Sequence, residues 1–310
     1  MCNFKPRDLK CAKSPWGETD EIGRLNLLTD VSREDVLRSI DPRKTYSLCN
    51  DWFMGMPSWK AAGDVHYQIW MTHTPNGTRI KDQLVATEEA KQLNAYSGDT
   101  VLMYTHCGTH IDALSHFGYN GTIWNGYKEE EYLGARGWTV CGVDKFPLII
   151  SKAVMIDVTA YKGVDVLPDE YGITADEIKE VLKAQNVSIS KGDTVMIRTG
   201  RQNVWPDCAK YEAWEPGITV DAAEYLAGEG AMIIGADNIA LEQLPSPEND
   251  QNYFPVHSYL FSEVGVPIIE VLNLNELSRD KVYECGFFLN VLGLQGATAA
   301  PITPFAIPFK

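Results

Sequence analysis

The chain lacks what membranes, nucleic acids and disulfide scaffolds require. No stretch of its sequence approaches the ~18 uninterrupted apolar residues of a spanning helix, and no apolar segment follows Lys5, Arg7 and Lys10. Neither a membrane anchor nor an export signal is expected. Basic residues are scarce, with 27 Lys and Arg against 42 Asp and Glu, for a formal net charge of -15. Such a surface repels phosphate backbones and anionic head groups, which argues against nucleic acid and membrane as partners. The seven cysteines are odd in number, scattered and without C-x-x-C spacing. That excludes a disulfide framework and a thiolate zinc site, and they read as reduced thiols of a cytoplasmic protein. Repeats and low-complexity tracts are absent, and Pro and Gly form no linker, which leaves one continuous unit. There is no G-x-S-x-G elbow for a serine nucleophile.

What is present suffices for a large core, since 45% of the 310 residues are hydrophobic. Short apolar runs predict buried strands at 101–104, 154–158, 194–197, 231–234, 267–272 and 287–291. A helix is predicted over 175–184, where Thr174 and Glu177 form a capping box and Ile178, Val181 and Leu182 share a face. A second helix begins near Thr219 and stops at Gly228. A third follows Ser32, with Val36, Leu37 and Ile40 facing inward. Interleaved strands and helices place the chain in the α/β class. The segments 52–63 and 293–309, rich in Gly, Pro, Trp and small residues, read as loops over a site.

Of only six histidines, His106, His110 and His116 fall within eleven residues together with Asp112. Their spacing puts all four side chains on one face of an extended segment. A helix fits less well, because Gly108 is a poor interior residue and Asp112 and His116 rotate off the face shared by His106 and His110. The expectation is a strand ending near His106, a turn at Gly108, and ligands on a loop that leads into a helix. Imidazole nitrogen with carboxylate oxygen suits a divalent metal, Zn²⁺ or Mn²⁺, with positions left open for water. The alternation points Cys107 away, as a small buried hydrophobe.

Glu270 interrupts the apolar run P-I-I-E-V-L, and a buried carboxylate there needs a cationic partner. His257, in P-V-H-S-Y, is the candidate, and the pair is placed in or beside the metal site. Asp157 and Asp237 have no histidine near them in sequence, and are read as helix caps or as partners of Arg198.

The run from His106 to Phe117 resembles the H-x-G-T-H-x-D-x3-H signature of the cyclase family, which includes bacterial kynurenine formamidases and isatin hydrolases. The resemblance extends to W-G-x-x-D-E-x-G-x-L-N from Trp16 to Asn26, G-M-P at Gly55 to Pro57, G-D-T-V-M-I-R-T-G from Gly192 to Gly200, and P-I-I-E-V-L-N-L from Pro267 to Leu274. It implies a swivelling β/β/α fold in one domain over 1–310, with an N-terminal extension of about 45 residues, a zinc or manganese ion, and an oligomer, homodimer or homotetramer, whose subunits help close each other's sites. By motif, His106, His110 and Asp112 look like metal ligands, His116 like the residue that moves protons or joins a second ion, and His257 with Glu270 like the second-metal pair. In the formamidases a proline stands where this chain has Leu114, and S-P-V-R stands where it has Ala300 to Thr303. The basic residue suited to a substrate carboxylate is therefore missing.

The expected function is hydrolysis of an amide or cyclic amide C–N bond by metal-activated water, with His116 shuttling the proton. A lactone hydrolase or a cyclising dehydratase would use the same Lewis acid, and a non-catalytic metal-binding protein would keep the ligands without needing His116. Trp52, Phe53, Trp59, Trp124 and Tyr127 flank the motif regions and are candidate walls for a small, neutral, planar substrate.

Overall fold

Four apolar strands, each buried on both faces, form the centre of a nine-stranded sheet in the computed structural model, which describes residues 9–59, 63–80, 95–247 and 252–310. In chain order the strands are β1 (Tyr46–Ser47), β2 (His110–Asp112), β3 (Ile149–Asp157), β4 (Thr194–Arg198), β5 (Ile233–Ala236), β6 (Ile268–Glu270), β7 (Glu284–Leu289), β8 (Ala299–Pro301) and β9 (Phe305–Pro308). Across the sheet they run β1, β9, β7, β3, β4, β5, β6, β2, β8. β3 to β6 are mutually parallel, and the strands outside them pair antiparallel. Alternate residues feed two cores. Val154, Ile156, Val195 and Ile197 enter one, while Ala153, Met155 and Met196 enter the other. Double-sided burial explains why these strands read as unbroken apolar runs.

The first core is closed by α2 (Ala175–Gln185) and α3 (Val220–Glu229), which contribute Ile178, Val181 and Leu182, and Ala222, Ala223 and Leu226. Thr174 accepts from Glu177 N as expected, but the Glu177 carboxylate turns to Lys162 and Tyr171, so the capping box is half formed. α3 passes through Gly228 and ends against Gly230. The first helix, α1 (Asp30–Ser39), starts earlier than Ser32 because Thr29 and Ser32 cap it reciprocally. That register buries Val36 and exposes Leu37.

Two further expectations give way to the structure. The strand predicted at 101–104 is Gly98–Leu102, and it pairs with Gln68–His73 in an exposed two-stranded ribbon apart from the main sheet. The tail 293–309 is not a loop throughout, because it supplies β8 and β9. Strands of three and four residues are too short for a period of two to register. Pro301 is tolerated there because β8 is a sheet edge.

The N-terminal segment is tied down by Asp20, whose carboxylate accepts from Trp124 Nε1 at 2.8 Å, Ser14 Oγ at 2.7 Å and Asn26 Nδ2 at 2.7 Å. Arg24 donates to the carbonyls of Ala227, Ala231 and Val264. Among the described residues no helix is long and apolar enough to cross a membrane.

Candidate metal centre

The site grows from β2. Ile111 points into one core, so His110 and Asp112 face the other side of the strand. The antiparallel register sets Glu270 of β6 opposite His110, and the two side chains meet with Nε2 and Oε2 3.1 Å apart. The polar interruption in P-I-I-E-V-L is thus a cross-strand partner of the histidine motif.

His106 lies outside the strand, in the turn before it. Gly108 supplies that turn with a φ of +62, and a Cβ there would sit 2.6 Å from Trp52 Nε1. Trp52 braces the same turn by donating to Cys107 O at 3.0 Å. The turn brings His106 Nδ1 to 2.8 Å from Asp112 Oδ1, while His106 Nε2 lies 2.9 Å from Thr298 Oγ1. The expected helix after Asp112 does not form. Ala113 N and Ser115 N donate to Thr298 O and Cys141 O, which pins the backbone in turns that bring His116 to the other oxygen of Asp112. His116 Nε2 stands 3.8 Å from Asp112 Oδ2, its ring 4.0 Å from that of His106.

His257 comes from the four-residue helix Pro255–Ser258. Its Nε2 is 3.2 Å from Glu270 Oε1, and its Nδ1 is 2.6 Å from Glu242 Oε1. Glu242 also accepts from the backbone N–H groups of His257 and Val256. Sequence reasoning did not find Glu242 or Thr298. Both lie in irregular segments and act on ligating groups from behind, so no spacing marks them.

The residues fit a divalent cation. His106, Asp112 and His116 offer atoms within 4.8 Å of one another, and so do His110, Asp112 and Glu270. Both oxygens of Asp112, His110 Nε2 and Glu270 Oε1 are buried without an aligned hydrogen-bond partner. Orphaned atoms of this kind cost several kcal/mol unless a cation sits among them. His110 Nδ1 is 2.8 Å from Gly108 O, an arrangement that leaves Nε2 as the ligating nitrogen. Burial opposes charge on Asp112, but His106, His116 and His110 hold it well below the usual carboxylate range. Burial also opposes charge on His110 and His257, yet Asp112 with Glu270, and Glu242 with Glu270, hold them up to about 10. Burial and the neighbouring His106 push His116 well down, toward the neutral imidazole.

The cluster opens on a cavity of about 210 Å³ walled by Trp59, Tyr104, Phe117 and Phe254 and reached by His106, His116 and His257. Trp59 thus stands where a wall was expected. Phe53 is edge-on to Trp205, Trp124 is buried in the first core, and Tyr127 packs against it. Asp157 caps the helix Val158–Lys162 and pairs with Arg198. Asp237 does neither. It accepts from Thr199 N, Thr199 Oγ1 and Gly200 N.

The Cyclase family model matches residues 46–243. No curated protein matches the sequence. Among solved structures, a novel cyclase is 26% identical with a TM-score of 0.84, over 98% of this chain and 99% of its own. An isatin hydrolase bound to the product analogue thioisatinate shares the fold at 20% identity and a TM-score of 0.63, over 91% of this chain and 100% of its own. Isatin hydrolase A from Ralstonia solanacearum does so at 17% identity and a TM-score of 0.63, over 86% and 92%. With the family model covering more than half of the sequence and the mixed α/β sheet shared with these structures, the chain belongs to the Cyclase family.

Proposed function

We propose that the protein is a metal-dependent hydrolase that opens an amide or cyclic amide C–N bond with water. The observation that carries this reading is the set of orphaned buried atoms on Asp112, His110 and Glu270, the last of which lines an aromatic cavity together with His106, His116 and His257. His106, His110 and Asp112 would hold a zinc or manganese ion, with His257 and Glu270 beside them for a second. Bound there, such a cation supplies a Lewis acid for the acyl carbonyl and lowers the pKa of water. His116, neutral and facing the cavity, takes a proton from the attacking water and returns it to the leaving nitrogen as the C–N bond breaks and the C–O bond forms. Trp59, Phe117 and Phe254 wall off solvent and offer flat faces to a neutral, planar ring. Trp52 acts through the turn it braces, and Phe53, edge-on to Trp205, does not line the cavity. Isatin is itself a cyclic amide, and the fold shared with isatin hydrolases supports that bond class.

The exposed two-stranded ribbon, with Ile69, Trp70, Met71 and Val101 open to solvent, supports a homodimer or homotetramer, which light scattering would establish. The reaction releases a proton near neutral pH, so a pH-indicator assay of metal-loaded protein across isatin, cyclic imides, aryl lactones and N-formylkynurenine ranks the substrates. Turnover of a cyclic amide is expected. Activity confined to lactones would move the reading to ester ring opening, and inactivity throughout would sink it.

A further inference from the structure

Among the described residues the lining of the histidine cavity holds two carboxylates, Glu270 and Asp64, in unlike surroundings. Glu270 is spanned by His110 and His257, at 3.1 and 3.2 Å. Asp64 has no such partner. It is partly exposed, and since its Oδ2 is enclosed without a hydrogen-bond partner, Oδ1 is the oxygen open to the cavity. No Lys or Arg among the described residues lines the cavity to neutralise it. The histidines of the lining are engaged elsewhere, His106 and His116 with Asp112, and His257 with Glu242 and Glu270. A carboxylate held in a cavity wall gives up part of its hydration, and here no protein donor replaces it. The donor is left to come from whatever enters the cavity.

The position of Asp64 is fixed by its neighbour. Val65 O accepts from Tyr104 N at 3.2 Å, which ties this segment to the residues just before His106. The Tyr104 ring lies on that of His106, with centroids 4.8 Å apart, and lines the cavity beside Asp64. At about 210 Å³ the cavity is small enough that a planar ring placed by His106 and His116 also meets Asp64.

We propose that Asp64 accepts a hydrogen bond from the N–H of the substrate's amide, and so selects lactams and imides with a free N–H over lactones and N-alkylated rings. The inference rests on the hydrolase reading for which bond is cut, but the contact itself stands apart from the chemistry. In a lactone the ring oxygen turns lone pairs toward the carboxylate, and in an N-alkylated ring the donor is gone. Either leaves a charged acceptor stranded. A site built to hydrogen-bond a group rejects the isostere that lacks it far more strongly than a site that only measures bulk.

The test reads a ratio of affinities, which removes any general effect of a substitution on the cavity. Full-length protein with its metal bound is titrated calorimetrically with oxindole, a planar N–H lactam, and with 2-indanone, which puts CH2 in place of N–H at the same size and keeps the carbonyl. Oxindole is expected to bind roughly tenfold or more tightly. In Asp64→Ala the ratio should fall to about one with metal content and circular dichroism unchanged, while Asp64→Asn, which keeps an acceptor oxygen without the charge, should retain a ratio of about three. Tyr104→Phe should keep the ratio of the parent. Equal affinities in the parent, or a preference that survives Asp64→Ala, overturn the proposal. Loss of metal in Asp64→Ala also overturns it by making Asp64 a ligand, and a ratio that collapses in Tyr104→Phe does so by passing the contact to the phenol. Hydrolysis of lactams and lactones without an N–H preference overturns it and leaves the hydrolase reading intact. A preference that depends on Asp64 in a protein that turns over no amide supports the contact and counts against the hydrolase reading alone.

Discussion

Asp112 and Asp237 are both 0% exposed, yet they live in opposite surroundings. The oxygens of Asp237 take three hydrogen bonds, from Thr199 N at 2.7 Å, Thr199 Oγ1 at 2.6 Å and Gly200 N at 2.9 Å. Those of Asp112 take none and are ringed by imidazoles. Burial raises the Asp237 carboxyl despite Thr199, whereas the histidines hold Asp112 well below its usual range against the same burial. Inaccessibility alone therefore does not identify a functional acid. The supply of donors separates the two: a carboxylate satisfied by peptide and hydroxyl hydrogens is a joint in the scaffold, and one left to imidazoles is suited to hold a cation, the role proposed for Asp112.

The comparison breaks most sharply when each aspartate is removed. Asp112→Ala should abolish both divalent metal, measured by elemental analysis, and turnover. Asp237→Ala should keep its metal and lose roughly 2–4 kcal/mol of stability in denaturant unfolding, because three donors are stranded. An Asp112→Ala protein as metal-rich as the parent would show that the orphaned oxygens are not the seat. Next in size, His116→Ala should retain metal while turnover falls roughly 10²- to 10⁴-fold. Metal lost together with activity would make His116 a ligand. Glu242→Gln tests support from behind the site, since Glu242 holds the Nδ1 side of His257. Metal affinity or activity should drop roughly 10- to 100-fold with no change in fold, and an unaltered variant would remove Glu242 from the site.

The smallest effect concerns a third kind of buried acid. Burial pushes Glu215 from 4.5 up to about 8, against the pull of the Ile239 N–H and Arg201. A raised folded-state value means its stabilising contribution is complete below the unfolded value, about 4.5, and is lost as the pH climbs through about 8. The Tm of Glu215→Gln relative to the parent should accordingly grow more favourable from acid to mildly alkaline pH. A flat difference would mean that folding does not raise the Glu215 carboxyl.

The sequence showed the site better than its framework. His106, His110, Asp112 and His116 are local in the chain, and Glu270 stands out because a charge interrupts an apolar strand, so composition and spacing sufficed. The central strands were legible for the same reason, as runs buried on both faces. Glu242 and Thr298 were not, since each matters only through a partner 15 and 192 residues away. β8 and β9 escaped because strands of three and four residues, with Pro301 and Pro308 in them and Pro304 between them, carry no period. The position of α1 was misjudged because two hydroxyl residues three positions apart, Thr29 and Ser32, both qualify as caps, and only the reciprocal pair settles which one leads.

The two ends of the chain are woven into each other. β1 pairs with β9, Asp41 N bonds to Pro308 O, Lys310 N bonds to Ser39 O, and Arg24 N bonds to Gly265 O. During synthesis residues 24–47 are made long before their partners at 265–310. α1 can settle on β3 as soon as that strand exists, but its packing on β7, and the pairing of β1 with β9, must wait. Tyr46, buried in the folded protein, stays uncovered until then, the interval in which an unfinished chain most needs a chaperone.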